Sequence, residues 1–250
     1  MIALVVIAIR NRKIESQPLK LPIFMLGFVV LQGLFGMWTV TLLLWPQVVT
    51  LHLLGGFTTL SLLWLLLQRL GNFGWRVDQV SFEAISKLRG LAVVGLLVVI
   101  LQIALGGWTT SNYAALACAD LPTCHNEWLP PMDFAAGFDF FQKIGPNYLG
   151  GQMDNQARTA IHFLHRVGAI VTTGMLLFLA VSLFLTRAKV ARSMACLLCA
   201  VLLTQVALGL SNVFFALPLP VAVAHNAFGA MLLLVMVTLN HRIFTMQLAR

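Results

Sequence analysis

LQGLFGMWTVTLLLWPQVVTLHLLGGFTTLSLLWLLLQRL, residues 31–70, and TQVALGLSNVFFALPLPVAVAHNAFGAMLLLVMVTLNHRI, residues 204–243, are one helical hairpin written twice. At an offset of 173, Gln32 falls on Gln205, Gly36 on Gly209, His52 on His225, Gly56 on Gly229 and Arg69 on Arg242. Apolar coincidences are cheap in so hydrophobic a chain; matched glutamine, histidine and glycine are not. Each copy holds two apolar runs of about 20 residues around a short turn, the length a helix needs to cross a bilayer.

Composition extends that reading to the whole molecule. With 60% hydrophobic and 10% charged residues in 250, and a mean hydropathy of +0.91, the chain lacks the polar surface to cover a soluble globule. Membrane-spanning runs fall at 21–44, 47–68, 89–110, 158–186, 193–217 and 219–240. Residues 1–9 are apolar but too short to cross, and Met1 begins inside the run with no polar segment or cleavage site ahead of it. The expected fold is an all-α polytopic membrane protein. It has two pseudo-symmetric four-helix bundle halves, the first incomplete, with six full transmembrane helices plus a partial N-terminal one. The expected division is 1–70 for the incomplete half, 71–88 for a linker and 89–250 for the second half.

The net charge of +8 does not mark a nucleic-acid surface, because the basic residues sit in alternate loops. Arg10, Arg12, Lys13 and Lys20, then Arg69, Arg76, Lys87 and Arg89, then Arg187, Lys189 and Arg192, and finally Arg242 and Arg250 belong to cytoplasmic segments. The intervening turns are uncharged or acidic. The long one, 111–157, carries Asp120, Glu127, Asp133, Asp139 and Asp154 against Lys143 and is expected outside. Cys118 and Cys124 lie in that loop, where an oxidising compartment favours a disulfide over two free thiols or a metal site. Cys196 and Cys199 sit in an apolar helix with no second Cys or His pair and read as small buried residues.

A third Gln-x-x-x-Gly occurs at Gln102 and Gly106, and the three glutamines read as interhelical hydrogen-bonders. His52, His165 and His225 fall near the outer ends of their helices, at one depth. A histidine inside a membrane is a functional candidate, and three at a shared depth suit a shared cofactor plane. Heme in a helical bundle is held by imidazoles from facing helices. Gly56, Gly168 and Gly229, one turn beyond each histidine, are expected to give the macrocycle room. Arg166 is either an interfacial anchor or a donor to a heme propionate. His162, one turn above His165, lines the pocket or faces water. His125 and His241 take no role.

The pieces LQGLFGMW, TLHLLGG, LQIALGGWTTSN, CADLPTC, EWLPPMDFAAGF, TAIHFLHRVGA and AHNAFGAMLLL together resemble the heme A synthase family over essentially the whole chain. The resemblance implies oxidation of the C8 methyl of heme O to the formyl group of heme A for cytochrome c oxidase assembly. It implies eight helices in two halves, with heme b ligated by His165 and His225 and the substrate heme O near His52. It also implies an inner (cytoplasmic) membrane location with 111–157 periplasmic and the C-terminus cytoplasmic. The electron donor or acceptor is unidentified; heme O synthase is a candidate partner, and a homo-oligomer is compatible. In the repeat register the counterpart of His165, which would partner His52, falls before Met1. So does the family's glutamate thought to take part in catalysis, whose positional counterpart here is His162. The expectation is a chain shortened at its N-terminus, with no catalytic residue assignable. A non-catalytic b-type cytochrome or heme carrier, for which His165 and His225 suffice, is the alternative. A small-solute transporter leaves the histidines unexplained. The stretch 126–145, with its Pro pair and aromatics, is expected on the outer surface over the heme mouth.

Overall fold

The computed structural model describes residues 1–13, 18–142 and 147–249; Lys143, Arg250 and the end of the 126–145 stretch lie outside the described residues. Its helices are α1 (Ile2–Arg10), α2 (Lys20–Thr41), α3 (Pro46–Leu70), α4 (Gln79–Ser86), α5 (Arg89–Ser111), α6 (Phe134–Gly137), α7 (Asn155–Leu185), α8 (Lys189–Phe214) and α9 (Leu219–Phe244). Six of them, α2, α3, α5, α7, α8 and α9, are long and apolar enough to cross a membrane, and the chain is a multi-pass membrane protein. These are the six apolar runs read from the sequence.

The hairpin repeat is also a repeat of backbone. At the end of α2, Leu44 N donates to Thr39 O at 3.0 Å; at the end of α8, Leu217 N donates to Asn212 O at 2.7 Å. Leu43 and Leu44 have φ of 51° and 67°, and their counterparts Ala216 and Leu217 have 53° and 62°. This is the Schellman closure, in which a left-handed residue turns the chain back and a long backbone bond satisfies a free helix carbonyl. Glycine is its usual residue; here Leu and Ala accept the left-handed strain, on the order of 1–2 kcal/mol each. The end of α5 closes likewise, with Ala114 N on Thr109 O at 2.9 Å and Tyr113 at φ 52°. Thus the three helices that carry Gln-x-x-x-Gly end in one way, at one distance from the glutamine.

Helices α5, α7, α8 and α9 form a bundle in which α5 and α8 each touch both α7 and α9, so α7 and α9 stand at opposite corners. The other hairpin joins through α3, which packs on α5 and α9, while α2 packs on α3 and α1 on α2. Two hydrogen bonds tie the seam: Thr50 Oγ1 to Ser111 Oγ at 2.9 Å, and Trp64 Nε1 donating to Thr238 Oγ1 at 2.7 Å.

In lipid the tails are as apolar as leucine, so side-chain packing rather than water exclusion holds helices together. That packing is concentrated toward the basic end. Leu176, Leu179 and Leu183 of α7, Leu198 and Leu202 of α8, and Met236 and Leu239 of α9 are all buried in one cluster. Gly95 of α5 lets them close up: a Cβ there would stand 3.0 Å from Met236 Cε.

Three elements, β1, β2 and α4, were not foreseen. The 71–88 segment is not merely a linker: β1 (Arg76–Val77) pairs in parallel with β2 (Gln247–Leu248), and Asp78 caps α4 by accepting from Ser81 N at 2.9 Å. Ile85 of α4 then reaches the main cluster with no exposed surface. Cys196 is exposed on the outward side of α8 rather than buried, and Cys199 is partly buried. Both are free thiols, and Cys199 packs against the main cluster while Cys196 does not meet the expectation of burial.

Candidate functional site

Each of the three histidines sits against one Gln-x-x-x-Gly. His52 of α3 meets Gln32 and Gly36 of α2, His165 of α7 meets Gln102 and Gly106 of α5, and His225 of α9 meets Gln205 and Gly209 of α8. A Cβ on Gly36, Gly106 or Gly209 would lie 2.9, 3.2 or 3.0 Å from the imidazole Cε1 opposite it. Those distances are too short for a methyl group without displacing the ring.

The glutamine amides complete the seats. Gln32 Nε2 is 3.0 Å from His52 Nδ1 and also donates to His52 O; Gln102 Nε2 is 3.1 Å from His165 Nδ1 and donates to His165 O at 3.0 Å. At the third seat Gln205 Nε2 is 3.4 Å from Nε2 of His225. The contact is reciprocal. A Cβ on Gly55 or Gly168 would collide with the amide oxygen of Gln32 or Gln102, and one on Gly229 would stand 3.4 Å from Gln205 Nε2. Here the expectation is corrected. Gly168, one turn beyond its histidine, makes room for a glutamine crossing from the next helix, while a Cβ on Gly229 would meet Gln205 Nε2 at 3.4 Å and one on Gly56 would stand 3.9 Å from Gln32 Nε2, with Gly55 in the tighter position. Same-face spacing within one helix cannot register a side chain arriving from its neighbour.

The bundle is unfilled where His165 and His225 lie. Between His162 and Thr172 no residue of α7 is buried; α8 has none beyond Leu202, and α9 none before Gly229. The main cluster therefore stops below the histidines, a second one of Trp108, Ala114, Met153, Ala157 and Ile161 packs α5 and α7 against the loop above them, and between the two α7, α8 and α9 bury no side chain. Buried polar atoms point the same way. Gln102 Oε1, Gln205 Oε1 and His225 Nδ1 have no partner among the described residues. In this half-bundle a polar group without a partner is costly. Two imidazoles on opposite corners of an unpacked half-bundle are the space and the donors that a planar iron macrocycle needs. Among the described residues, no three His, Cys, Asp or Glu side chains gather as a site for a bare metal ion. His52 stands in the other hairpin with its own seat and is not brought to the other two.

Over the loop end lies the 111–157 segment. Cys118 and Cys124 form the expected disulfide, and both are buried. Arg166 holds this loop from below: Nη1 donates to Asp120 O and Thr123 O, each at 2.9 Å, Nη2 donates to Cys118 O, and Nε stands 3.4 Å from His162 Nε2. His162 Nδ1 in turn accepts from Cys118 N at 3.1 Å. Three guanidinium hydrogens are thus taken by loop carbonyls and a fourth faces the His162 ring, leaving one for an outside carboxylate. His162, only 4% exposed, braces the loop and does not face water.

Asp120 organises the turn, accepting from Thr123 Oγ1 at 2.6 Å, His125 N at 2.7 Å and Asn126 N at 3.0 Å. The Thr123 hydroxyl, then the Asn126 and His125 amides, hold its carboxyl well below the usual carboxylate range. A carboxylate depressed in the folded state stabilises above its unfolded pKa and loses that contribution as pH falls through the folded value. The loop is therefore expected to keep one stability from neutral pH down to about pH 4 and to loosen below it. The rate at which a phosphine reductant opens Cys118–Cys124 checks this: it should rise in strong acid in the native chain, and already be raised at neutral pH in Asp120→Ala.

The 126–145 stretch does lie on the loop end, though not as one amphipathic helix. Only α6 is helical within the described part, capped by Asp133 on Ala136 N at 2.9 Å. Gly137 docks on α7 so closely that a Cβ would stand 2.8 Å from Ala157 O, and Trp108 Nε1 donates to Gly137 O at 2.8 Å. Tyr148 pins the loop's far end, donating to Asn112 Oδ1 at 2.7 Å, while its N–H reaches Leu43 O at 3.0 Å; burial pushes its phenol pKa up.

This arrangement can be set beside known proteins. Over 229 residues the chain is 47% identical to a heme A synthase of Shewanella oneidensis, covering 92% of this chain and 68% of that protein. It is 32% identical over 164 residues to a heme A synthase of Methylobacterium radiotolerans and 27% identical over 158 residues to one of Sphingopyxis alaskensis, spanning 42% and 41% of their lengths. The family model of COX15-CtaA, described as cytochrome oxidase assembly protein, matches residues 1–237, and the chain belongs to that family.

Proposed function

We propose that the chain is a heme A synthase that oxidises the C8 methyl of heme O to the formyl group of heme A. The observation that carries this reading is the open half-bundle between α7 and α9, with His165 and His225 at its opposite corners, in a member of this family. Residues 89–250 form the half that holds a resident heme b through those two imidazoles. Residues 1–70 contribute the substrate side, with His52 as a ligand to the heme O iron, and residues 71–88 connect them. Bound heme b would supply one-electron transfer.

The chain's own residues bind, orient and shield. His165 and His225 offer neutral nitrogen donors from rigid helices, which place ligands more reproducibly than loops do. Arg166, through its remaining N–H, offers a charged donor to a propionate while its other hydrogens anchor the disulfide loop. That loop, with α6 docked on α7, covers the mouth against water. The basic loops and α4 lie on the cytoplasmic side of the inner membrane and 111–157 in the periplasm.

Expression of the chain in cells that lack heme A synthase tests the reading. Appearance of heme A in extracted hemes supports it. A chain that carries heme b while no heme A forms would replace it with the b-type cytochrome or carrier, for which the His165–His225 pair is sufficient.

A further inference from the structure

At the end of the bundle away from the disulfide loop, α3, α5 and α9 meet in a cluster of cations that no acid answers. The Trp64 Nε1–Thr238 Oγ1 bond at 2.7 Å sets α3 beside α9, and one turn further along stand Gln68 and Arg69 on α3 and Arg242 on α9. Asn240 Nδ2 donates to Ala92 O at 3.0 Å, and one turn beyond that contact the Arg89 guanidinium lies 5.7 Å from the centroid of the Phe244 ring. His241 falls between these two faces of α9, and the charges of Arg69 and Arg242 both reach it. Among the described residues, five of the twelve buried side-chain atoms without a partner are gathered here: Gln68 Oε1, Ser86 Oγ at the end of α4, Arg89 Nε, His241 Nδ1 and Arg242 Nε. Gln68 is only 3% exposed. Asp78 and Glu83, the carboxylates described on this side, are bonded to Ser81 and Gln79 instead. Buried N–H donors without acceptors and cations without counter-charge are both costly, and an anion with several oxygens relieves both.

The same three helices enclose an apolar cavity of about 160 Å³ nearer the bilayer centre, lined among others by Phe57 and Leu62 of α3, Leu96 of α5 and Leu233 of α9. Ile100 at its rim is exposed, so the cavity opens toward lipid. From Leu62 to Arg69, and from Leu96 back to Arg89, is about 10 Å of helix. Cluster and cavity therefore fall within one leaflet, whose hydrocarbon is about 15 Å deep. We propose that Arg69, Arg89 and Arg242 bind the phosphate of an anionic phospholipid from the leaflet on the basic-loop side, with an acyl chain of that lipid in the cavity between α3, α5 and α9. Basic pockets between transmembrane helices are suited to acidic headgroups, and the apolar cavity above this one favours a lipid over free phosphate, which would leave it empty. The lipid bridges α3 of one half to α5 and α9 of the other, along a seam tied by two side-chain hydrogen bonds. The site stands apart from the heme pocket and does not depend on it.

Native mass spectrometry of the full-length chain, delipidated in detergent and titrated with palmitoyl-oleoyl phosphatidylglycerol or the matching phosphatidylcholine, tests this. One phosphatidylglycerol per chain should bind in clear preference to phosphatidylcholine. Replacing two of the arginines, Arg89→Gln with Arg242→Gln, should weaken it about 30-fold. Arg187→Gln with Arg192→Gln removes equal charge from the same side of the molecule, away from the seam, and should leave the affinity unchanged. Ile100→Phe, which narrows the mouth of the cavity, should weaken phosphatidylglycerol binding without altering the cluster, and excess inorganic phosphate should not displace the lipid. Should the Arg89/Arg242 variant not accumulate, Ile100→Phe and the phosphate competition decide on their own. Equal binding of the two lipids, an equal loss in both arginine pairs, or no effect of Ile100→Phe would overturn the proposal. Displacement by phosphate would overturn it too, leaving a site for free anions.

Discussion

Replacing either His165 or His225 with alanine is expected to strip the heme from the purified chain, lowering its heme-to-protein ratio by at least roughly tenfold, while His52→Ala leaves the resident heme in place. The asymmetry follows from the packing. Around the histidines α7, α8 and α9 bury no side chain that could pack in place of a lost ligand, so one remaining imidazole must hold the macrocycle. His52 is seated in a different hairpin, against Gln32 and Gly36. A pyridine-hemochrome assay on each variant reads the ratio. Added imidazole should return the low-spin spectrum in the alanine variants, which separates a missing ligand from a collapsed bundle.

The second large effect is at Arg166. Its alanine variant loses three hydrogen bonds at once, all to backbone carbonyls of the disulfide loop. Hydrogen bonds from a charged donor are each worth about 1.5–3 kcal/mol, but bonds sharing one group are not additive and this site is partly solvated. A local loss of about 3 kcal/mol is reasonable, equivalent to roughly 100-fold more frequent opening of the loop. Reduction of Cys118–Cys124 should accelerate by that order in Arg166→Ala. Arg166→Lys should recover only part, since a single ammonium cannot span three carbonyls in one plane. The bundle itself should unfold as before, because the cluster around Leu179, Met236 and Leu239 lies away from the loop.

How much of this is legible in the sequence depends on whether the signal is carried along one helix or between two. The six spans, the hairpin repeat and the disulfide follow from periodicity, spacing and composition, and all appear in the structure. The roles of the glycines do not. Gly168 sits one turn from His165, and a single-helix reading gives it to the cofactor; in the fold, Gln102 arrives from α5 and occupies that space. A count would have hinted at it, since the chain has as many Gln-x-x-x-Gly motifs as histidines at membrane depth. Arg166 is similar: its adjacency to His165 suggests a propionate, whereas three of its hydrogens go to a loop more than forty residues away in sequence. The α4 helix did carry a local signal in Asp78, a capping residue followed by apolar Phe82 and Ile85, which the charge of its flanks obscured. The β1–β2 pairing joins residues at distant points of the chain and had none.

The claim on which the rest depends is that His165 and His225 hold one heme across the corners of the bundle. Electron paramagnetic resonance of the oxidised, membrane-purified chain examines it without any substitution. The expected result is a low-spin ferric signal of bis-imidazole ligation at one heme b per chain. A high-spin signal alone, a low-spin signal that persists when both histidines are alanine, or a protein free of heme would contradict it.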